Sequence, residues 1–176
     1  MPDATKAPKK PIALVGLMGA GKSTVGRRLA RRLGLPFADA DREIEAAAGL
    51  GIAEIFERFG EAHFRDGERR VIARLVEGPP QVIATGGGAF ANDETRALIL
   101  ARCTAVWLDI EIDTLAERVQ RRDHRPLLNG KDPRATLAAL AEARNPSYAE
   151  AHIAIHGADP RHETTVARIV EALAAR

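Results

Sequence analysis

A glycine-rich segment near the start of the chain has the chemistry of a phosphate-binding loop. It reads GLMGAGKST at residues 16–24 and directly follows the apolar run PIALV at residues 11–15. Its glycines let successive backbone N–H groups point at phosphate oxygens, its lysine can reach the outer phosphates, and its serine hydroxyl can ligate magnesium. The motif therefore predicts a site for a nucleoside triphosphate, although such loops serve enzymes, switches and motors alike.

Two carboxylates follow the next apolar segment and could take part in phosphoryl transfer. Asp39 and Asp41 end the segment FADAD at residues 37–41, and strand alternation predicts that both point to the same side. One could serve the metal while the other orients or deprotonates the attacking hydroxyl. The alternative is a solvated helix cap, because Asp41 precedes the helical pattern that begins at Arg42.

Arginines and glycines farther along the chain could bind a substrate carboxylate. Arg65 and Arg144 offer two planar guanidinium groups, and the glycine run at residues 86–88 lets a ligand touch the backbone. Because Arg65 lies beside aromatic residues, the alternative is surface packing through its methylene stem. Residues 121–133, RRDHRPLLNGKDP, are rich in charge and turn formers and are predicted to form a long mobile loop.

The elements that must position these residues alternate between strands and helices. Short apolar runs predict strands at 11–15, 37–40, 81–85, 104–108 and 152–155. Helical patterns begin at Lys22, Arg42, Ile52, Asn92, Leu115, Asp132 and Thr164, with a break near Gly60 and an end before Pro146. This alternation predicts a parallel sheet covered on both sides. Such sheets bind ligands beyond the carboxyl ends of their strands, where the glycine loop, Asp39 and residues 86–88 lie.

Composition limits the class of protein. The chain has 176 residues, of which 45% are hydrophobic, and this suits one compact domain. A net charge of +2 and an aromatic content of 4% disfavour a nucleic-acid partner. Cys103 is the only cysteine, so no intrachain disulfide forms, and no apolar stretch is long enough to span a bilayer. We expect a cytoplasmic monomer with no membrane partner and a disordered tail at residues 1–10.

Six segments resemble, in order, those of the shikimate kinase family. They are GLMGAGKST at 16–24, DAD at 39–41, FRDGE at 64–68, ATGGG at 84–88, RPLL at 125–128 and the segment at 144–148. The resemblance runs from about Ile12 to the last helix. It implies a three-layer α/β/α P-loop kinase fold like that of nucleoside-monophosphate kinases, with a central five-stranded parallel sheet. A single kinase domain at residues 11–176 would carry a mobile lid at about residues 118–133.

The resemblance also implies an activity and a nucleotide site. The activity is ATP-dependent phosphorylation of the 3-hydroxyl of shikimate, giving shikimate 3-phosphate and ADP, in the pathway to chorismate and the aromatic amino acids. The implied ATP-binding residues are Gly19, Ala20, Gly21, Lys22, Ser23, Thr24, Arg118 and Arg125. Among these, Lys22 and Arg125 would stabilise the transferring phosphoryl group, and Arg118 would stack on adenine. Ser23 and Asp39 would hold the cofactor Mg²⁺.

The same resemblance implies a pocket for shikimate. Its residues would be Asp41, Arg65, Gly87, Gly88 and Arg144, with Phe56 and Phe64 along an apolar wall. Asp41 would bind and activate the hydroxyl. Glu68 would orient Arg65 from behind. Closure of the lid would keep water away from the phosphoryl group.

Several residues look functional but are expected to have structural roles. Asp109 ends the apolar strand at 104–108, yet in the family resembled the strand beside the phosphate-loop strand ends in ATGGG, so Asp109 should lie farther away. Arg27, Arg28, Arg31 and Arg32 form a basic stripe that we interpret as a solvated helix face rather than an RNA site. Tyr148 is given no chemical role, and His124 is expected to face solvent.

Other functions remain open at this point. A kinase of similar architecture could act on gluconate or on a nucleoside monophosphate, although the latter needs a base-recognising pocket that Phe56, Phe64 and the glycine run do not obviously supply. A nucleotide-binding regulatory module would bind ATP through residues 16–24 without turnover. Such a module would tolerate the loss of Asp41 and Arg65.

We therefore predict that Asp41→Asn abolishes turnover and leaves ATP binding little changed. The amide cannot accept the proton of the attacking hydroxyl, so we expect kcat to fall at least about 100-fold. ADP release in the presence of the acceptor measures turnover, and calorimetric titration measures the affinity for ATP. Retention of wild-type turnover by this variant would contradict the role given to Asp41, whereas a wild type that binds ATP without any acceptor-dependent ADP release would favour the regulatory module.

Overall fold

A five-stranded parallel sheet forms the centre of this computed structural model, which describes residues 7–121, 130, 132–157 and 161–176. The strands are β1 (Ile12–Val15), β2 (Phe37–Asp39), β3 (Val82–Ala84), β4 (Thr104–Asp109) and β5 (Ile153–His156). Their order in the sheet is β2-β3-β1-β4-β5, and all neighbours are parallel. The predicted five-stranded parallel sheet is confirmed.

The central strand β1 is covered on both faces of the sheet. Ile12 aligns with Val82 of β3 on one side and with Thr104 of β4 on the other. Successive side chains of a strand point to opposite faces, and the residues of β1 are all at most 1% exposed. Burial of both faces is typical of a parallel sheet between two helical layers and explains why this strand is continuously apolar.

Helices form the two outer layers. Within the described ranges they are α1 (Lys22–Leu33), α2 (Ala40–Ala48), α3 (Ile52–Glu77), α4 (Asp93–Arg102), α5 (Ile112–Gln120), α6 (Pro133–Tyr148) and α7 (Glu163–Ala174), with a 3₁₀ turn at Ala89–Ala91. Helix α1 packs against α7, while α3, α4 and α6 meet around the 3₁₀ turn. The arrangement confirms the predicted three-layer α/β/α fold. No helix in the described part of the chain is long and apolar enough to cross a membrane.

Helix α3 is broken where the sequence predicts a break. Gly60 has φ 82° and ψ 173° inside the span Ile52–Glu77, a conformation that side chains with a Cβ rarely adopt. The chain therefore changes direction at Gly60. Phe56 before the break and Phe64 after it come together, with ring centroids 4.6 Å apart.

Helix α6 continues farther than the sequence predicts. The expectation that its regular course ends before Pro146 is wrong, because the helix runs on to Tyr148. Pro146 lies in the last turn, where a missing N–H removes a single hydrogen bond from the helix. The consequence is that Tyr148 has a helical backbone and points its side chain into the core, where it is 1% exposed.

Two predicted mobile segments lie largely outside the described residues. Of the tail expected at residues 1–10, the structure describes 7–10, which precede β1 without forming a helix or a strand. Of the lid expected at about residues 118–133, it describes the end of α5, residues 130 and 132, and the start of α6. Arg125, His124 and the segment RPLL at residues 125–128 are outside the described residues.

The start of β4 carries a pH-sensitive hydrogen bond. The backbone N–H of Ala105, a residue with no exposed surface, donates to Nδ1 of His152 at 2.9 Å. His152 immediately precedes β5, so its ring extends the β4–β5 ladder by one bond. Burial lowers the pKa of His152 below its ordinary 6.5, and the charges of Arg176 and Lys10 lower it further. The folded protein thus favours the neutral imidazole that can accept this bond.

We predict that His152 makes stability fall on acidification. Because its folded-state pKa is lowered, the unfolded chain binds the proton more tightly, so stability is full above about pH 6.5 and declines as the pH falls through the folded-state pKa. His152→Asn keeps an acceptor atom but cannot titrate. Thermal unfolding of both proteins from about pH 7.5 to pH 5 should show a steeper loss of Tm in the wild type. Parallel Tm curves would contradict this prediction.

Candidate active site

The phosphate loop joins β1 to α1 and leaves the start of that helix available to an anion. Gly19 and Gly21 have φ values of 82° and 90°, and Gly21 at the N-cap provides no side-chain hydrogen bond. The first turn of α1, which includes Ser23 and Thr24, contains no acidic residue. The first N–H groups of a helix lack partners within the helix and lie at its positive end. The structure therefore places Gly19, Ala20 and Gly21 where the sequence predicts a phosphate site.

Lys22 folds back into this loop. Its Nζ donates to the carbonyl oxygens of Gly16 at 2.6 Å and Leu17 at 2.9 Å, and the residue is only 9% exposed. A buried ammonium needs hydrogen-bond acceptors, and these carbonyls supply them. The positive charge of Lys22 is thus held within the phosphate loop by two backbone carbonyls.

Ser23 and Asp39 meet at the carboxyl end of the sheet. The Ser23 hydroxyl donates to Oδ2 of Asp39 at 2.8 Å, while Oδ1 accepts the N–H groups of Asp41 at 3.1 Å and Arg42 at 3.4 Å. One carboxylate oxygen therefore caps α2 and the other faces the phosphate loop. A hydroxyl beside a carboxylate fits Mg²⁺, which prefers oxygen ligands and usually takes one or two from protein and the rest from water and phosphate. The described residues contain no larger cluster of His, Cys, Asp or Glu that could hold a metal.

Asp41 lies on a helix, which corrects the prediction that it shares a strand with Asp39. Helix α2 begins at Ala40, because the Asp39 side chain caps it directly after β2 ends. The alternative of a helix cap thus applies to Asp39 rather than to Asp41. Asp41 still faces the glycine run, since a methyl group placed on Gly86 would come within 2.7 Å of its Oδ1.

Arg65 and Glu68 form an ion pair that approaches the glycine run from α3. Arg65 Nη1 lies 2.9 Å from Glu68 Oε1, and the two side chains are 18% and 1% exposed. The Arg65 guanidinium takes the space that any side chain at Gly88 would need. It also lies over the Phe64 ring, 5.1 Å from its centroid. The predicted contact between Glu68 and Arg65 is therefore present, and Arg65 does more than pack on the surface.

Glu68 is a buried carboxylate of which only one oxygen pairs with Arg65. Its Oε2 has no hydrogen-bond partner in the described part of the chain and would lie 3.0 Å from a methyl group on Gly86. Burial raises the pKa of Glu68 above its usual range, the ion pair with Arg65 opposes this, and the nearby charge of Asp41 raises it further. Asp41 and Glu68 thus converge on Gly86, where only glycine leaves room for both.

Arg144 closes the pocket from α6 and brings it next to the phosphate loop. Its Nη1 donates to the carbonyl oxygen of Gly87 at 3.1 Å. A methyl group on Gly87 would lie 3.6 Å from that Nη1 and 3.5 Å from the backbone nitrogen of Met18, within the phosphate loop. The guanidinium groups, the glycine run and the loop therefore border one space. The structure brings together every predicted site residue that it describes on the acid side.

Two residues to which the sequence analysis gives no functional role contact glycines of the site. The Tyr148 hydroxyl donates to the Gly87 carbonyl oxygen. His162, with φ 52°, brings its ring within 3.2 Å of the Cβ position of Gly21. Nearby, Arg118 Nη1 donates to the Gly19 carbonyl at 3.1 Å, so the predicted adenine-side arginine does reach the loop. No local signal in the sequence could reveal these contacts, since each joins residues far apart in the chain.

The expected structural roles can now be compared with the contacts. Asp109 Oδ2 pairs with His156 Nδ1 at 2.7 Å. The argument that its strand lies away from β1 is wrong, because β1 has two neighbours and β4 is one of them. In the basic stripe, Arg27 lies over the Phe37 ring and Arg28 donates to the Arg161 carbonyl. All four arginines of the stripe are exposed, as expected for a solvated helix face.

Fold and site together define a P-loop protein in which two arginine side chains, Arg65 and Arg144, lie beside the glycine run next to the phosphate loop. The family model described as shikimate kinase matches residues 18–174. The shikimate kinase of Caulobacter vibrioides is 60% identical over 164 residues, which cover 93% of this chain and 82% of that relative. The chain belongs to the shikimate kinase family.

Solved structures agree with this assignment. A shikimate kinase from Acinetobacter baumannii, in complex with shikimate, gives a TM-score of 0.92 at 37% identity, covering 96% of this chain and 95% of that one. A shikimate kinase from Aquifex aeolicus gives a TM-score of 0.81 at 40% identity, covering 93% and 95% of the two chains. The fold is therefore shared over nearly the whole chain.

We predict that Arg65→Lys weakens the binding of an acidic substrate far more than that of ATP. An ammonium cannot make the two-pronged contact with a carboxylate and would also lose the geometry of the Glu68 pair. We expect the KM for shikimate to rise about 10- to 100-fold, with little change in the KM for ATP.

Arg69→Lys is the matched control for this variant. Arg69 lies on the same helix, pairs with Asp66 at 2.7 Å and Glu94 at 3.3 Å, and is 40% exposed. Its replacement should leave both KM values unchanged. Equal losses for shikimate and ATP in Arg65→Lys would count against the assigned pocket.

Proposed function

We propose that this protein transfers the γ-phosphoryl group of ATP to the 3-hydroxyl of shikimate, giving shikimate 3-phosphate and ADP. The proposal is carried by the position of Gly87, which touches Arg144 of the acid pocket and Met18 of the phosphate loop. A small acid held by the guanidinium groups would therefore lie next to the terminal phosphate of a nucleotide. Membership of the shikimate kinase family supports shikimate as that acid.

The phosphate loop supplies the nucleotide half of the mechanism. The phosphates would accept hydrogen bonds from the N–H groups at the start of α1. Lys22 would exchange its bonds to the Gly16 and Leu17 carbonyls for bonds to phosphate oxygens, following the charge as it develops. Ser23 and Asp39 would hold Mg²⁺, which supplies positive charge for the phosphate oxygens when it is bound. Arg125 and Arg118 would add positive charge on the lid side.

The acid pocket supplies the acceptor half. Arg65 and Arg144 would bind the carboxylate of shikimate, each already held by protein, Arg65 by Glu68 and Arg144 by the Gly87 carbonyl. This preorganisation lowers the cost of positioning the substrate. Asp41 would accept the proton of the shikimate 3-hydroxyl. The oxygen of that hydroxyl would attack the γ-phosphorus, and the bond between the γ-phosphorus and the oxygen that leaves with ADP would break.

The proposal extends to the cellular setting of the reaction. The product would feed the pathway to chorismate and the aromatic amino acids. We place the reaction in the cytoplasm, where ATP is available. A monomer would suffice, because the phosphate loop and the acid pocket are both built from a single chain.

An acceptor panel tests this function. Purified protein with ATP and Mg²⁺ is offered shikimate, gluconate or a nucleoside monophosphate in parallel, and ADP release is followed in a coupled assay. We expect release only with shikimate. Release with gluconate or a nucleoside monophosphate alone would assign a different acceptor, and equal release without any acceptor would show that the protein is not a kinase of small molecules.

Chelation of the metal provides a second measurement. Removal of Mg²⁺ should stop turnover with shikimate, because phosphoryl transfer from ATP needs its charge neutralised by the cation. If Asp39 helps to hold the ion, adding Mg²⁺ back should restore turnover in the wild type and not in Asp39→Ala. The far-ultraviolet circular dichroism of that variant checks that α2 survives the loss of its cap.

A further inference from the structure

Tyr148 ends α6 with its hydroxyl group against the glycine run. The residue is 1% exposed, and its hydroxyl donates to the carbonyl oxygen of Gly87. Arg144, one helical turn earlier, donates to the same oxygen. Two donors from one helix therefore hold a single carbonyl of the glycine run, which has no side chains of its own to fix it.

The Tyr148 ring cannot easily leave this position. It is stacked between Trp107 of β4, with centroids 5.8 Å apart, and Phe90 of the 3₁₀ turn, at 6.3 Å. All three rings are at most 8% exposed. Burial raises the pKa of Tyr148 to about 12, although the charges of Arg144 and Arg65 oppose this. The phenol thus keeps its proton and remains a hydrogen-bond donor.

The held carbonyl fixes the direction of the next amide. In a trans peptide the C=O and the N–H point in opposite directions, so the N–H of Gly88 points away from α6 when the Gly87 carbonyl points towards it. Gly88 lies against the Arg65 guanidinium. The peptide held by the Gly87 carbonyl is therefore next to the guanidinium that would receive a carboxylate.

The two donors to the Gly87 carbonyl differ in what else they bind. Under the proposed function the Arg144 guanidinium also binds the substrate carboxylate with its remaining N–H groups. Tyr148 is buried behind the glycine run and has no such second task. It is the donor that stays in place when the acid enters.

We propose that Tyr148 is a positioning residue for the acid, and that its phenol holds the Gly87–Gly88 peptide so that the Gly88 N–H donates to the substrate carboxylate. This inference rests on the proposed function and deepens it. Tyr148 does not touch the reacting atoms. Its effect should therefore appear in the binding of shikimate and not in the chemical step.

Tyr148→Phe removes the hydroxyl and keeps the stacked ring. We expect the KM for shikimate to rise about fivefold, as for the loss of one hydrogen bond, with kcat and the KM for ATP changed less than about twofold. Ile169→Val is the control for a general loss of stability, because Ile169 is fully buried in α7, a helix that packs against α1 and β5 and not against Tyr148. It should lower Tm while leaving the KM for shikimate unchanged. A KM for shikimate that rises equally in both variants would overturn the proposal.

A substrate analogue identifies the group that is positioned. Reduction of the shikimate carboxylate to a methyl group removes the acceptor for the Gly88 N–H. The wild type should bind this analogue weakly, and Tyr148→Phe should weaken it no further, so that the two changes are not additive. If the losses of binding free energy from the analogue and from Tyr148→Phe were fully additive, Tyr148 would not act through the substrate carboxylate, and the proposal would be wrong.

The single tyrosine of the chain allows a test that needs no substitution. Biosynthetic 3-fluorotyrosine labels only Tyr148, and its ¹⁹F resonance should shift on addition of shikimate but not of the reduced analogue. An unmoved resonance at saturating shikimate overturns the proposal. Failure of the proposed function is distinguishable, because the wild type would then release no ADP with shikimate, whatever the Tyr148 variants do.

Discussion

The parallel register of the three strands β2, β3 and β1 is the constraint on which the site depends. Ala84 of β3 aligns with Asp39 of β2 on one side and with Leu14 of β1 on the other. The chain therefore leaves all three strands at the same level and on the same edge. The phosphate loop, the capped start of α2 and the glycine run are brought together by backbone pairing. Because both faces of β1 are buried, a slip in this register would cost core packing as well as the site.

Charged side chains can approach one another at this edge because the glycine run has no side chains and leaves space for them. Asp41 and Glu68 approach Gly86, and Arg65 approaches Gly88. Each charge is also shared with a structural partner: Asp39 caps α2 while it faces Ser23, and Glu68 holds Arg65. Buried charges are costly unless they are paired and hydrogen-bonded. The charged groups of the site therefore stabilise one another. Removal of one group would leave its partner buried without a counter-charge.

Much of this could be predicted from sequence because the decisive signals are local. Strand β1 is a continuous apolar run, the phosphate loop is a fixed spacing of glycines, and the break in α3 occurs at a glycine. Errors arose where two local rules competed: alternation favoured Asp41 on a strand, whereas capping by Asp39 started the helix one residue later. Pro146 was expected to end α6, but a proline in the last turn loses only one bond. The roles of Tyr148 and His162 depend on contacts across the sheet, and single-sequence patterns do not contain them.

The start of α1 has a consequence outside the reaction. Gly21 gives this helix no side-chain cap, and the first N–H groups of a helix have no partner within the helix. A ligand that binds only the folded chain adds to its stability by mass action. Nucleotide bound at this loop would therefore stabilise the folded chain. By the same linkage, a fall in nucleotide concentration would raise the fraction of open chain that proteases can cleave.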